Sequence, residues 1–119
     1  MSMTRRCLLA SAALAAALAA APAHADEPLE VVASFSILGD MVSVIGGERV
    51  HVTTLVAPGE DAHVFDPAPA DARKLAEADL VVVNGLGFEG WIDRLIAASG
   101  YDGAIAVASN GIVALPGEE

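Results

Sequence analysis

Beyond residue 28 the chain alternates short apolar runs with segments whose apolar residues recur at helical spacing. Leu29 to Phe35 (LEVVASF) is apolar and β-branched, which suits a buried strand. In the next ten residues Ile37, Met41, Val44 and Ile45 fall at helical spacing, and Gly46-Gly47 stops the helix. Val50 to Val56 (VHVTTLV) predicts a second strand, followed by an Ala57-Pro58-Gly59 turn. Pro69 to Ala78 predicts a helix with proline at its first position and Asp71 in its first turn, near the positive end of the dipole. Ala72, Leu75 and Ala76 make its apolar side, and Arg73 and Glu77 stand four apart on its exposed side. Leu80 to Val83 predicts a third strand, Phe88 to Ser99 a helix marked by Trp91, Leu95 and Ile96, and Ala104 to Val107 a fourth strand. Pro116 to Glu119 reads as loop.

Strand and helix alternate throughout, so the expected fold is α/β: an open parallel four-stranded sheet with flanking helices and right-handed crossovers. Such a sheet takes helices on both faces. No internal repeat is visible. With no helix after the fourth strand, the chain reads as the beginning of a domain.

The first 25 residues stand apart. Arg5 and Arg6 precede an alanine- and leucine-rich run from Cys7 to Ala21, and Pro22-Ala23-His24-Ala25 follows. A positive start, a short apolar core and a small-x-small ending describe a secretory signal peptide cut after Ala25. The run falls short of the roughly 20 residues that span a membrane, so no stable membrane insertion is expected. Cys7 precedes the apolar run, whereas a lipid-bearing cysteine would follow it. The expected location is therefore the periplasm, with residues 26–119 as the mature part. That part has no cysteine, so no disulfide supports it. It holds four basic residues (Arg49, Arg73, Lys74, Arg94) against all 16 acidic ones. This balance excludes nucleic acid and anionic lipid as partners, since both demand basic surface. It suits a protein that meets cations.

Two stretches carry candidate chemistry. Asn84 to Gly90 (NGLGFEG) contains G-x-G-x-x-G between a strand and a helix, the context a dinucleotide-binding loop requires. Such a loop normally follows the first strand of its unit, and this one follows the third. The acidic residue expected about 20 positions later is replaced by Ala108-Ser109-Asn110, and Glu89 would sit beside the pyrophosphate. A glycine-rich strand-to-helix turn is the better reading. The second stretch, Gly59 to Asp71 (GEDAHVFDPAPAD), holds His63 just past a strand's carboxyl end, where open α/β sheets place ligands. Pro67 and Pro69 push Asp66 and Ala68 towards extended backbone, which stiffens the loop. Asp61 and Asp66 could orient the imidazole through its second nitrogen, or be solvated loop charges. His51 alternates with Val50 and Val52 and reads as an outer-face strand residue, and His24 leaves with the leader.

The segments VVASFSILGDMV (31–42), VTTLVAPGEDAHVFDPAPAD (52–71), ADLVVVNGLGFEGWIDRL (78–95) and VASNGI (107–112) together resemble the metal-ion substrate-binding proteins of ABC importers for zinc and manganese. The stretch DAHVFDPAP is similar to that family's first-ligand motif, a histidine followed by P-x-P. The resemblance implies two α/β lobes joined by one long helix, with the metal between them. It implies four ligands, mostly histidines plus one or two carboxylates, of which His63 matches the first. It also implies an ABC permease of the inner membrane as partner, and Zn2+, or Mn2+, as transported ligand with no catalytic cofactor. Residues 26–119 are then expected to be an incomplete N-terminal lobe of the receptor, with zinc as the preferred cargo. Ala68 departs from the family, which often has threonine there, and this removes a helix N-cap oxygen worth about 1 kcal/mol.

Two other classes compete with a binding protein. A small metal-dependent hydrolase with His63 as base lacks support, because G-x-S-x-G, a cysteine nucleophile and a second histidine at ligand spacing are all missing from the mature part. A secreted α/β interaction domain would use the uncovered apolar side of the sheet.

Overall fold

β1 (Leu29–Phe35), β2 (Val50–Val56), β3 (Leu80–Val83) and β4 (Ala104–Val107) form one sheet in the order β2-β1-β3-β4, with all neighbours parallel. The coordinates, a computed structural model, describe residues 27–117. The leader expected at residues 1–25 lies outside the described residues. The expected α/β architecture and the bounds of all four strands are found. Val31 pairs with both Val52 and Leu80, so β1 is central and its run of β-branched residues is buried on both faces.

The two-residue period of the strands divides the core. Val31, Ala33 and Val82 pack with Leu38 of α1 (Ser36–Gly46) on one face. Val32, Val81 and Val83 pack on the other with Leu75 of α2 (Pro69–Ala76) and with Ile92 and Leu95 of α3 (Ile92–Ser99). This distribution follows from the strand order. The chain leaves β1 in one direction to reach β2, then returns past β1 to β3, and right-handed crossovers put helices of opposite sense on opposite faces. The reversal leaves a crevice at the carboxyl ends of β1 and β3, the position where sheets of this type bind ligands.

The helices depart from expectation in three places. In α1, Leu38 and Gly39 are buried, while the stripe that announces the helix stands in solvent: Ile37 is 65%, Met41 53%, Val44 78% and Ile45 84% exposed. The cause is Gly39, whose missing side chain lets α1 lie directly on β2; a methyl group there would collide with the Thr54 methyl. α2 ends at Ala76, two residues early, with Glu77 as its cap. α3 starts at Ile92 and not at Phe88: residues 88–91 form tight turns, with the Phe88 N–H donating to the Gly85 carbonyl and the Ile92 N–H to the Glu89 carbonyl, while the Glu89 side chain folds back on the Asn84 and Gly85 amides. Among the described residues, no helix is long and apolar enough to cross a membrane.

The start of α2 shows how Ala68 is tolerated. Ala68 has the extended backbone of an N-cap (φ −90°, ψ 162°) but no side-chain oxygen. Asp71 supplies the other half of the motif: its Oδ2 accepts the Ala68 N–H at 2.9 Å, and its Oδ1 accepts Lys74 Nζ at 2.8 Å. Arg73 and Glu77 are both exposed, and the ion pair on this helix is Asp71–Lys74.

Candidate metal-binding site

The loop between β2 and α2 has little regular structure, so local hydrogen bonds and packing must shape it. Glu60 folds back on the turn after β2, its Oε2 accepting the Ala57 N–H at 3.0 Å. Asp61 does the same one step on: its Oδ1 accepts the His63 N–H at 2.9 Å, an aspartate turn that needs no partner outside the loop. The same oxygen lies 3.4 Å from His63 Nδ1. The carboxylate lies beside the imidazole without a hydrogen bond to it, and the hydrogen bond between the two residues runs through the His63 backbone. Of the two carboxylates suggested by the sequence, Asp61 therefore meets the imidazole. Asp66 makes no hydrogen bond to it. Among the described residues nothing hydrogen-bonds Nε2, and the His63 side chain is 62% exposed.

The imidazole does not wave freely. Its ring meets Phe88 edge-on, with centroids 4.4 Å apart, and Phe88 in turn packs 5.1 Å from Phe35 at the end of β1. Trp91 reaches the loop as well, donating its indole N–H to the Ala62 carbonyl at 2.6 Å. Phe88 and Trp91 both follow β3, so the turn after β3 shapes the loop after β2. The role of Trp91 went unread in the sequence, although it is the chain's one tryptophan.

At the crevice between β1 and β3 sits Glu89, 4% exposed. Its Oε1 accepts the Ser34 hydroxyl at 2.5 Å and the Asn84 N–H at 2.6 Å, and its Oε2 accepts the Gly85 N–H at 3.3 Å. These amides belong to the G-x-G-x-x-G stretch and are the donors a phosphate would need. The protein's own carboxylate already fills them, so the stretch is a self-capped turn. From the sequence Glu89 counts only as an acid that would oppose a pyrophosphate, and nothing there marks Ser34 as its partner.

His51 lies on the outer face, as expected. Its Nδ1 is 2.8 Å from Glu30 Oε2, the residue paired with it across the β1–β2 ladder. Among the described residues, no three histidine, cysteine or acidic side chains gather closely enough to hold a metal ion. The arrangement therefore offers one nitrogen donor, oriented and accessible, at the carboxyl edge of the sheet.

Known proteins share this architecture. The chain is 45% identical over 93 residues to the manganese-binding lipoprotein MntA of Halalkalibacterium halodurans, a match covering 78% of this chain and 31% of that protein. The Mn-bound periplasmic metal binding protein from Candidatus Liberibacter asiaticus matches with a TM-score of 0.69 at 36% identity, over 76% of this chain and 34% of that one. The Zn(II)-bound AdcA of Streptococcus pneumoniae matches with a TM-score of 0.66 at 22% identity, over 76% of this chain and 20% of that one, a likeness of fold. The chain spans about a third of the length of the relatives it matches. Residues 31–119 match the family described as zinc-uptake complex component A, periplasmic, and the chain belongs to that family.

Proposed function

We propose that residues 26–119 are the first lobe of a receptor that captures a divalent transition-metal ion outside the cytoplasm for an ABC importer of the inner membrane. His63 provides one ligand through Nε2. The observation that carries this reading is the His63 imidazole itself: it lies just past the carboxyl end of β2, its side chain is 62% exposed, and the Asp61 carboxylate stands 3.4 Å from its Nδ1. A carboxylate beside the second nitrogen is what metal-binding histidines have. The rest of the site, the second lobe and the permease contact belong to the longer receptor. Release of the ion is then a hinge opening between lobes, without chemistry.

The cargo is Mn2+ or Zn2+. A neutral imidazole suits zinc, and added carboxylates favour manganese. The preference for zinc drawn from the sequence is weakened by the 45%-identical relative, which is named for manganese. Residues 1–25 act as a cleaved leader in this reading, giving a soluble periplasmic protein that begins at Asp26, and mass spectrometry of the exported chain checks that start. The same relative is a lipoprotein; a lipid on the mature chain would overturn the cleaved-leader reading.

The test is a titration of the isotope-labelled chain with Mn2+, whose unpaired electrons broaden nearby NMR resonances. The His63 ring signals should vanish first, and His63→Ala should remove the effect. Calorimetry should give zinc affinity no tighter than about micromolar, since tetrahedral zinc sites take three or four ligands. His63 signals that stay sharp while other residues broaden would refute the assignment. Submicromolar zinc binding lost in His63→Ala would instead show ligands donated by neighbouring copies.

A further inference from the structure

We propose that Trp91 is the positioning residue of the metal-binding loop, holding the Ala62 carbonyl before His63 and the Phe65 ring after it, and so setting where Nε2 sits. This inference rests on His63 being a metal ligand.

One buried side chain makes both contacts. The Trp91 indole N–H donates to the carbonyl of Ala62, the residue before His63, at 2.6 Å. The Trp91 ring meets Phe65, two residues after His63, with centroids 4.9 Å apart and planes at 60°. Trp91 and Ala62 are 3% and 7% exposed, whereas Val64, between the two grips, is 76% exposed. His63 and Val64 are thus a short bridge between two fixed points. Fixing its ends removes most of the conformational freedom that binding a metal would otherwise have to freeze.

The grip is anchored at its far end. Trp91 stands at the start of α3 in one core cluster with Leu75, Val81 and Leu95. Phe88, three residues earlier, presses on the imidazole itself from the same turn. The loop after β2 therefore takes its shape from the connection after β3, on the far side of β1 in the sheet.

The experiment uses the full chain, labelled for NMR, with Trp91→Phe, which keeps an aromatic ring for Phe65 and deletes the N–H. Order parameters of the 62–65 amides should fall from about 0.85 to below about 0.6. The His63 ring protons should move as they lose the fixed Phe88 ring current. The Mn2+ concentration that half-broadens them should rise about tenfold, the lower end of the loss seen when a ligand's supporting partner is removed. Unchanged relaxation, ring shifts and Mn2+ response in a folded Trp91→Phe would overturn the proposal. If Trp91→Phe does not fold, Phe65→Leu decides: it removes one grip and keeps the hydrogen bond, and an unchanged loop there also overturns it. The two readings fail separately. Sharp His63 signals in Mn2+-treated wild-type chain overturn the ligand assignment, whereas unaltered loop dynamics in the variants overturn the clamp.

Discussion

The Ser34 hydroxyl donates to Glu89 at 2.5 Å, joining the carboxyl end of β1 to the turn after β3 through a fully enclosed carboxylate. A buried carboxylate is costly unless its oxygens are satisfied. Here Ser34 and the Asn84 and Gly85 amides satisfy them together. The amides at this end of the crevice are thus occupied by the protein's own carboxylate.

Glu89→Gln should therefore destabilise the chain without changing its shape. The amide has one acceptor where the carboxylate has two, and its NH2 group must face one of three donors. The expected cost is about 2–3 kcal/mol, the range for hydrogen bonds to charged groups. Urea unfolding followed by circular dichroism measures it. Ser34→Ala should cost less, about 1 kcal/mol, because both backbone donors remain. Equal costs for the two changes would mean that the backbone amides contribute little.

Ala68→Ser should stabilise α2. Ala68 already has N-cap backbone angles, and Asp71 already returns its carboxylate to the Ala68 N–H. A serine oxygen would give the Asp71 N–H, which already donates to the Ala68 carbonyl at 2.9 Å, the side-chain acceptor of the reciprocal pair. The expected gain is about 1 kcal/mol, or about 4–8 °C in Tm for a domain of this size. A Tm that does not rise would show that Asp71 alone satisfies the helix start.

What the sequence made legible was set by local physics. All four strand bounds follow from apolar, largely β-branched runs such as LVVV, and the parallel orientation follows from alternation, whereas the order β2-β1-β3-β4 does not. His63 was placed at the carboxyl edge by the proline-stiffened loop that follows β2. Its surroundings were not legible. Trp91 meets Ala62 across 29 residues and Glu89 meets Ser34 across 55, and no periodicity encodes such partners. The start of α3 falls four residues later than the apolar spacing suggests because Glu89 turns back to the Asn84 and Gly85 amides, a contact that the spacing does not encode.

Alkaline pH should weaken the fold through Tyr101. Its hydroxyl donates at 2.7 Å to the carbonyl of Ala104, the first residue of β4. Burial raises its pKa above the ordinary 10.0, and the nearby Asp79 and Asp102 charges push in the same direction. A raised tyrosine pKa means that the folded chain holds the proton more tightly than the unfolded one. The stability this gives is complete below pH 10 and is lost as pH climbs through the folded-state value. Urea midpoints measured from pH 8 upward should fall beyond pH 10 in the wild type. The fall should be shallower in Tyr101→Phe, and parallel curves would exclude Tyr101 as the cause.

The two sides of α1 give the sharpest contrast between pattern and packing. Judged by spacing, Ile45 belongs to the stripe that should be buried, and Leu38 lies outside it. In the fold Leu38 is 5% exposed beside Val31, Ala33 and Val82, while Ile45 is 84% exposed. Leu38→Ala should cost about 2–4 kcal/mol, since it leaves a hole that the close contact at Gly39 cannot collapse to fill. Ile45→Glu should change stability by less than about 0.5 kcal/mol, as surface substitutions do. Chemical denaturation gives both numbers. A larger loss from Ile45→Glu than from Leu38→Ala would mean that α1 is rotated on the sheet, with its apolar stripe turned inward.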